Sequence, residues 1–145
     1  MNILTLLKKD HSKVKELFNE LFQAGDRAVK TRTALFNQIN EELTLHTQIE
    51  EDLFYPAVKK YTETRGLILE AYEEHAVVKT LLHDINALSA EDERWIAKVT
   101  VLQENVRHHI QEEEESLFPQ VEQLIEKEEL TLMGKKMQVI KERVT

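Results

Sequence analysis

Cysteine is absent from the 145-residue chain. That excludes disulfides, iron–sulfur clusters, thiolate zinc sites and cysteine nucleophiles together. Any metal must be held by nitrogen and oxygen, and six histidines are available to do so. Glycine (three residues), proline (two) and aromatics (6%) are also scarce. So little turn punctuation, beside 32% charged residues, predicts long helices with few connections. Basic residues are outnumbered, 19 against 27 acidic ones, for a formal net charge of −8; this balance disfavours phosphate backbones. No run approaches the ~20 apolar residues of a membrane span. Residues 1–10 do not form a signal peptide, because the apolar run is short and its lysines follow it. The expectation is a cytoplasmic protein that engages neither nucleic acid nor membrane, folded as one domain over residues 1–145.

What the chain does have is helical periodicity. Apolar residues recur at spacings of three and four, and strand-like alternation is nearly missing. A first helix carries Leu4, Leu7, Val14, Leu17, Phe18, Leu21 and Phe22 and ends near Gly25, with Asp10 able to cap a second start inside it. A second runs from about 29 to 61, followed by a turn at 62–66. A third holds Leu67, Leu69, Ala71, Val78, Leu82, Ile85 and Leu88. After a turn and N-cap at 89–92, a fourth runs from Trp95 to about Ile125. A shorter fifth segment, from about 130 to 144, is weakened by Gly134 by about 1 kcal/mol relative to alanine. The predicted fold is all-α: an antiparallel up-down-up-down four-helix bundle with a short extra C-terminal helix on its outside or across one end.

Polar residues interrupt the apolar stripes in a fixed pattern. The second helix places His46 and Glu50, and the fourth His109 and Glu113, at positions i and i+4 of one face. His11 and His75 lie on the stripes of the first and third helices. The halves align without gaps: His46-x-x-x-Glu50 on His109-x-x-x-Glu113, and His11 on His75. Each proline, Pro56 and Pro119, falls ten residues after its histidine. A helix hairpin has been duplicated and paired with itself. A lone imidazole on an apolar stripe is ordinarily a hydrogen-bonded core residue, a lone His/Glu pair an exposed one, and a proline a helix kink. Those readings do not account for one consistent duplicate of all three. Four imidazoles and two buried carboxylates converging from four helices call for cations, since buried charges need a partner or a metal. Two divalent ions suit that number, and ligand type alone fits iron, manganese or zinc.

The pattern Asp10-His11, His46-x-x-x-Glu50 with Phe54-Tyr55-Pro56, Glu74-His75, and His109-x-x-x-Glu113 with Phe118-Pro119 resembles the hemerythrin-like, or HHE cation-binding, domain family over nearly the whole chain. The resemblance implies two iron ions in an oxo- or hydroxo-bridged centre that meets oxygen, nitric oxide or peroxide. It makes His11, His46, His75 and His109 terminal ligands and Glu50 and Glu113 bridges. One position departs from the oxygen carriers of the family, which have a further histidine where this chain has Lys79. The lysine stem runs outward or its ammonium pairs with a glutamate, leaving an exchangeable position on the iron that His75 holds. This moves the expectation from reversible oxygen carriage to redox chemistry or sensing, as in relatives linked to the repair of damaged iron centres.

The remaining candidates rank lower. His108 is about 100° around the helix from His109 and faces a neighbour or solvent; His83 is expected at the surface or behind the ligands. Glu51 and Glu114 are alternative carboxylates, and Tyr55 and Tyr72 are read as core residues with polar tips. Three functions remain open: a di-iron protein that binds or reduces a small oxidant, a metal-dependent sensor or interaction protein without turnover, and a purely structural bundle.

Overall fold

In a computed structural model that describes residues 1–144, the chain is all-helical, with no strand among those residues. Thr145, the last residue of the expected domain, lies outside the described residues. Helix α1 (Ile3–Gln23) starts at Asn2, whose side chain accepts a hydrogen bond from the Thr5 amide at 3.0 Å and satisfies one amide that a helix start leaves free. Asp10 does not interrupt it; the residue is helical and buried. Nor does Gly25 close it in a left-handed conformation, since no glycine has positive φ. Ala24 turns extended, and Arg32 of the next helix donates to its carbonyl at 3.3 Å and to Asp26 at 3.2 Å.

Helix α2 (Val29–Ile49) widens into a π-helical turn (Glu50–Phe54) and continues as α3 (Tyr55–Val58). Helix α4 (Thr62–Asn86) follows, then α5 (Glu93–Glu112), a second π turn (Glu113–Leu117) and α6 (Phe118–Leu124). Both π turns lead up to a proline. Pro56 and Pro119 have no N–H for the carbonyl four residues back, and their rings would press on it. The wider turn carries the chain past that defect: the Tyr55 and Phe118 amides bond to the Glu50 and Glu113 carbonyls, five residues back. Such single π turns tend to occur at functional positions.

The expected turn at 62–66 is instead the start of α4. The chain reverses at 59–61, and Thr64 is buried with its hydroxyl donating to the Val58 carbonyl at 2.8 Å. That bond takes up an acceptor left at the end of α3, so the threonine ties the two helices and Gly66 lies inside one. Helix α5 starts as expected, with the Asp92 side chain accepting from the Arg94 amide at 2.9 Å.

The core is two apolar clusters with a polar layer between them. The first gathers Leu4, Leu7, Phe54, Tyr55, Ile68 and Phe118; the second gathers Val14, Phe18, Ile39, Val78, Trp95 and Leu102. Along the chain, α1 and α4 pass from the first cluster to the second, while α2 into α3 and α5 into α6 pass from the second to the first. Helix α7 (Lys127–Val144) lies against α1 and α2 and adds Leu130, Met133 and Met137 to the first cluster. Gly134 is what lets it approach. A Cβ there would collide with the Met1 carbonyl oxygen and lie 3.0 Å from the Asn2 carbonyl carbon.

Candidate metal centre

All six residues singled out by the duplicated pattern meet in the polar layer. His11, His46, Glu50, His75, His109 and Glu113 are between 0% and 7% exposed. Their donor atoms form two overlapping groups, each within 4.8 Å: His11, His46, Glu50 and Glu113 in one, and Glu50, His75 and His109 in the other. Glu50 Oε1 lies 3.1 Å from Nε2 of both His46 and His75. Glu113 reaches to both sides, with Oε1 3.2 Å from His11 Nε2 and Oε2 3.4 Å from His109 Nε2.

Every imidazole is held from behind by a further carboxylate. Nδ1 of His11 meets Glu114 at 2.6 Å, that of His46 meets Asp10 at 2.9 Å, that of His75 meets Glu51 at 2.8 Å, and that of His109 meets Glu74 at 2.6 Å. The four pairs obey the sequence duplication. The residue before His11 or His75, Asp10 or Glu74, serves the other histidine of its half, His46 or His109. The residue after each central glutamate, Glu51 or Glu114, serves His75 or His11, in the other half. A carboxylate can only accept, so Nδ1 donates and the Nε2 lone pair is free to face inward once the second proton leaves. The π turns bear on this arrangement, because the first two residues of each turn (Glu50 and Glu51; Glu113 and Glu114) both reach histidines, one from inside the layer and one from behind it.

Lys79 does not enter the centre. It is 54% exposed, and its ammonium donates to Glu51 at 2.9 and 3.1 Å, behind His75. Lys141 of α7 plays the same part in the other half, where its ammonium pairs with Asp10 behind His46. His83 is exposed, and His108 is exposed beside Glu74 and Glu112, at 3.6 Å from each.

Tyr55 is the residue that periodicity undervalued. Its hydroxyl donates to Glu113 Oε2 at 2.6 Å and lies 3.2 and 3.3 Å from Nε2 of His75 and His109. Phe118, its counterpart by alignment, is stacked near His11 and has no such oxygen. The sequence did carry a signal: in the duplicated segment before proline, one half reads Phe-Tyr and the other Leu-Phe. The two sides of the centre therefore differ by one hydroxyl.

The metal-free electrostatics are those of a salt network. Burial disfavours a charged His46, but the Glu50 charge and the hydrogen bond to Asp10 prevail and raise its pKa to about 10. Glu50 is likewise held well below the usual carboxylate range in spite of burial, chiefly by the His46 charge. His109 is held well above the ordinary imidazole value, burial again being outweighed, here by Glu113. Asp10 is lowered against its burial by His46 and then Lys141. Burial, then the charges of Glu113 and Glu50, pushes the Tyr55 phenol well up.

Protons do not complete the cluster. His11 Nε2, His46 Nε2, Glu50 Oε2 and Glu113 Oε1 are buried without a hydrogen-bond partner among the described residues. Orphaned donors and acceptors of this kind are costly, and these four all belong to one group of potential ligands. Imidazole nitrogen and carboxylate oxygen in this arrangement suit divalent transition-metal binding. On the face of the imidazole layer away from Tyr55 lies a cavity of about 20 Å³, walled by Val14, Leu43, Val78, Val106 and Ile110. It has room for a water or a diatomic molecule and little more.

Comparison with known proteins agrees with this picture. The sequence pattern described as "Hemerythrin HHE cation binding domain" matches residues 2–121. A DNA nickase of Nostoc sp. is 31% identical over 144 residues, 99% of this chain but 40% of that protein. An uncharacterized hemerythrin-like protein of Schizosaccharomyces pombe is 31% identical over 83% of this chain and 60% of its own length. The chain thus spans about half the length of these two relatives. The crystal structure of a hemerythrin HHE cation-binding domain-containing protein from Mycobacterium kansasii superposes with a TM-score of 0.85 at 28% identity, covering 99% of this chain and 86% of that one.

Proposed function

The chain belongs to the hemerythrin HHE cation-binding family, and from that starting point we propose that it is a non-haem di-iron protein that binds or reduces a small oxidant: oxygen, nitric oxide or peroxide. His11 and His46 would hold one iron and His75 and His109 the other, with Glu50 and Glu113 available to both. When bound, the iron pair supplies redox and Lewis-acid chemistry toward such a molecule. The observation that carries this reading is the inward set of four Nε2 atoms, each fixed by a carboxylate on its Nδ1, around two glutamates with orphaned oxygens.

The chain's own residues do the rest. Asp10, Glu51, Glu74 and Glu114 orient the imidazoles and make them better donors. Valine and leucine walls exclude bulk water and admit only small molecules. Tyr55 would hold Glu113 and keep a hydroxyl beside His75 and His109, on the side where Lys79 led to the expectation of an exchangeable position, while Phe118 offers no such oxygen beside His11. The reversal of direction between α1 and α2 and again between α4 and α5 supports an antiparallel up-down-up-down bundle, with α7 outside it, as one domain.

We place the protein in the cytoplasm; no helix among the described residues is long and apolar enough to cross a membrane. A charge of −8 opposes a DNA substrate, and the nickase relative is matched over 40% of its length. Sensing without turnover is a second reading, favoured by the Lys141–Asp10 pair that links α7 to His46. An aerobic absorption spectrum of the iron-loaded protein tests the centre: near-ultraviolet bands of a bridged ferric pair support it, and failure to take up iron refutes it. Catalytic consumption of peroxide or nitric oxide then separates turnover from sensing.

A further inference from the structure

Outside the buried layer, one group of side chains has the makings of a second kind of metal site. Glu74 on α4 and His108 and Glu112 on α5 bring three ligand atoms within 4.8 Å of one another. His108 Nε2 lies 3.6 Å from a carboxylate oxygen of each glutamate. These contacts are too long for hydrogen bonds. His108 and Glu112 are one helical turn apart, and Glu74 comes from the neighbouring helix, so the donors are fixed by two rigid elements.

The duplication supplies an internal comparison. Glu74, His108 and Glu112 correspond to Asp10, Leu45 and Ile49 of the first half. There α7 covers the face: Ile49 is buried, Leu45 packs against the same apolar cluster, and a cation, the Lys141 ammonium, sits on Asp10. In the second half the apolar pair is replaced by an imidazole and a carboxylate. Among the described residues neither Glu74 nor Glu112 forms an ion pair with lysine or arginine. The carboxylate behind one core histidine has a lysine; its counterpart has two further metal-binding side chains, open to solvent.

We propose that Glu74, His108 and Glu112 form an exposed site for a divalent first-row metal ion, which hands ions on to the buried centre. Two carboxylates and one imidazole suit ferrous iron, manganese or zinc, and the open side leaves the rest of the coordination to water. Glu74 connects the two places directly: Oε1 accepts a hydrogen bond from His109 Nδ1 at 2.6 Å, while Oε2 faces the exposed site. The existence of the site is independent of the di-iron reading; its loading role rests on it.

The test is zinc stoichiometry by equilibrium dialysis at low-micromolar free zinc, comparing wild type with His108→Ala and Glu112→Gln. His108 is 67% exposed and Glu112 lies at the surface, so both variants should fold. The expected result is one zinc fewer per chain in each variant, three against two. One against none would retain the exposed site and refute the buried centre; two in all three proteins would retain the buried centre and overturn this site. In the same variants, ferrous iron should fill the buried centre several-fold more slowly, to the same final content. Loss of the exposed ion with an unchanged filling rate would overturn the loading role.

Discussion

At the scale of single residues, the centre is a set of imidazoles whose two nitrogens have been given different work. That division has a sign that can be measured. In the metal-free protein His46 has a pKa raised to about 10, above its ordinary value of about 6.5. A raised value contributes stability that is fully present below the unfolded value and is lost as pH climbs through the folded one. Glu50, held low, contributes stability above the ordinary carboxylate range and loses it on acidification. Chelated protein should therefore melt at falling temperature as pH rises from 7 towards 10. Metal affinity should move the opposite way, strengthening over that interval because His46 must give up a proton to ligate. Melting curves at several pH values, with and without chelator, check both; parallel behaviour of the two forms would contradict the assignment of His46. Tyr55→Phe should cost about 1–3 kcal/mol in the metal-free form, because Glu113 loses a buried donor, and chemical denaturation measures it.

Much of this scale is legible in the sequence. The six converging residues and the exposure of His83 and His108 agree with helical angles, and the outward course of Lys79, four residues from His75 on the same face, follows from its long stem and its charge. What angles do not provide is the distinction between a tyrosine tip at the edge of a core and one aimed into the centre. An α-helix carries Tyr55 elsewhere; the π turn before it sets its direction.

At the scale of elements, the two π turns are where sequence reading loses register. Periodicity assumes a constant rotation per residue, and a turn with one extra residue breaks that assumption just after Glu50 and Glu113. The prolines mark the place but not the form of the irregularity. Pro56→Ala and Pro119→Ala restore an amide and permit an ordinary turn, which would rotate the downstream helix by about 100° relative to the upstream one. Each should weaken metal binding while leaving helical content by circular dichroism unchanged; unaltered affinity would show that the π turns do not depend on the prolines. The end of α3 escapes the sequence for another reason: a buried threonine hydroxyl bonded to a carbonyl, which no local propensity reveals, joins α3 to α4. Gly134, a weakness of the last helix by propensity, is instead its point of close approach. Gly134→Ala should lower stability by about 1–3 kcal/mol through overpacking and speed amide exchange in α7 and the first turn of α1.

At the scale of the whole molecule, the duplication governs both the fold and the centre. Four helices cross one polar layer between two apolar clusters, and each half lends carboxylates to the other half's histidines. This explains why fold class and ligand set are readable together: one pattern encodes both. The seat of α7 is not readable, since its apolar stripe fits any exposed face; contacts with the first turn of α1 and with Asp10 select it. Metal binding should dominate stability, because a ligand at a thousandfold excess over Kd adds about 4 kcal/mol to the native state. Chelation should lower Tm by several degrees, and equal curves would count against a central site.

The paired centre is tested most directly by the iron content of protein from an iron-replete host, after brief desalting against a weak chelator to strip exposed ions. Two iron atoms per chain are predicted for the wild type, and clearly fewer for Glu50→Ala and Glu113→Ala. One iron per chain, unchanged by both substitutions, would contradict the paired centre.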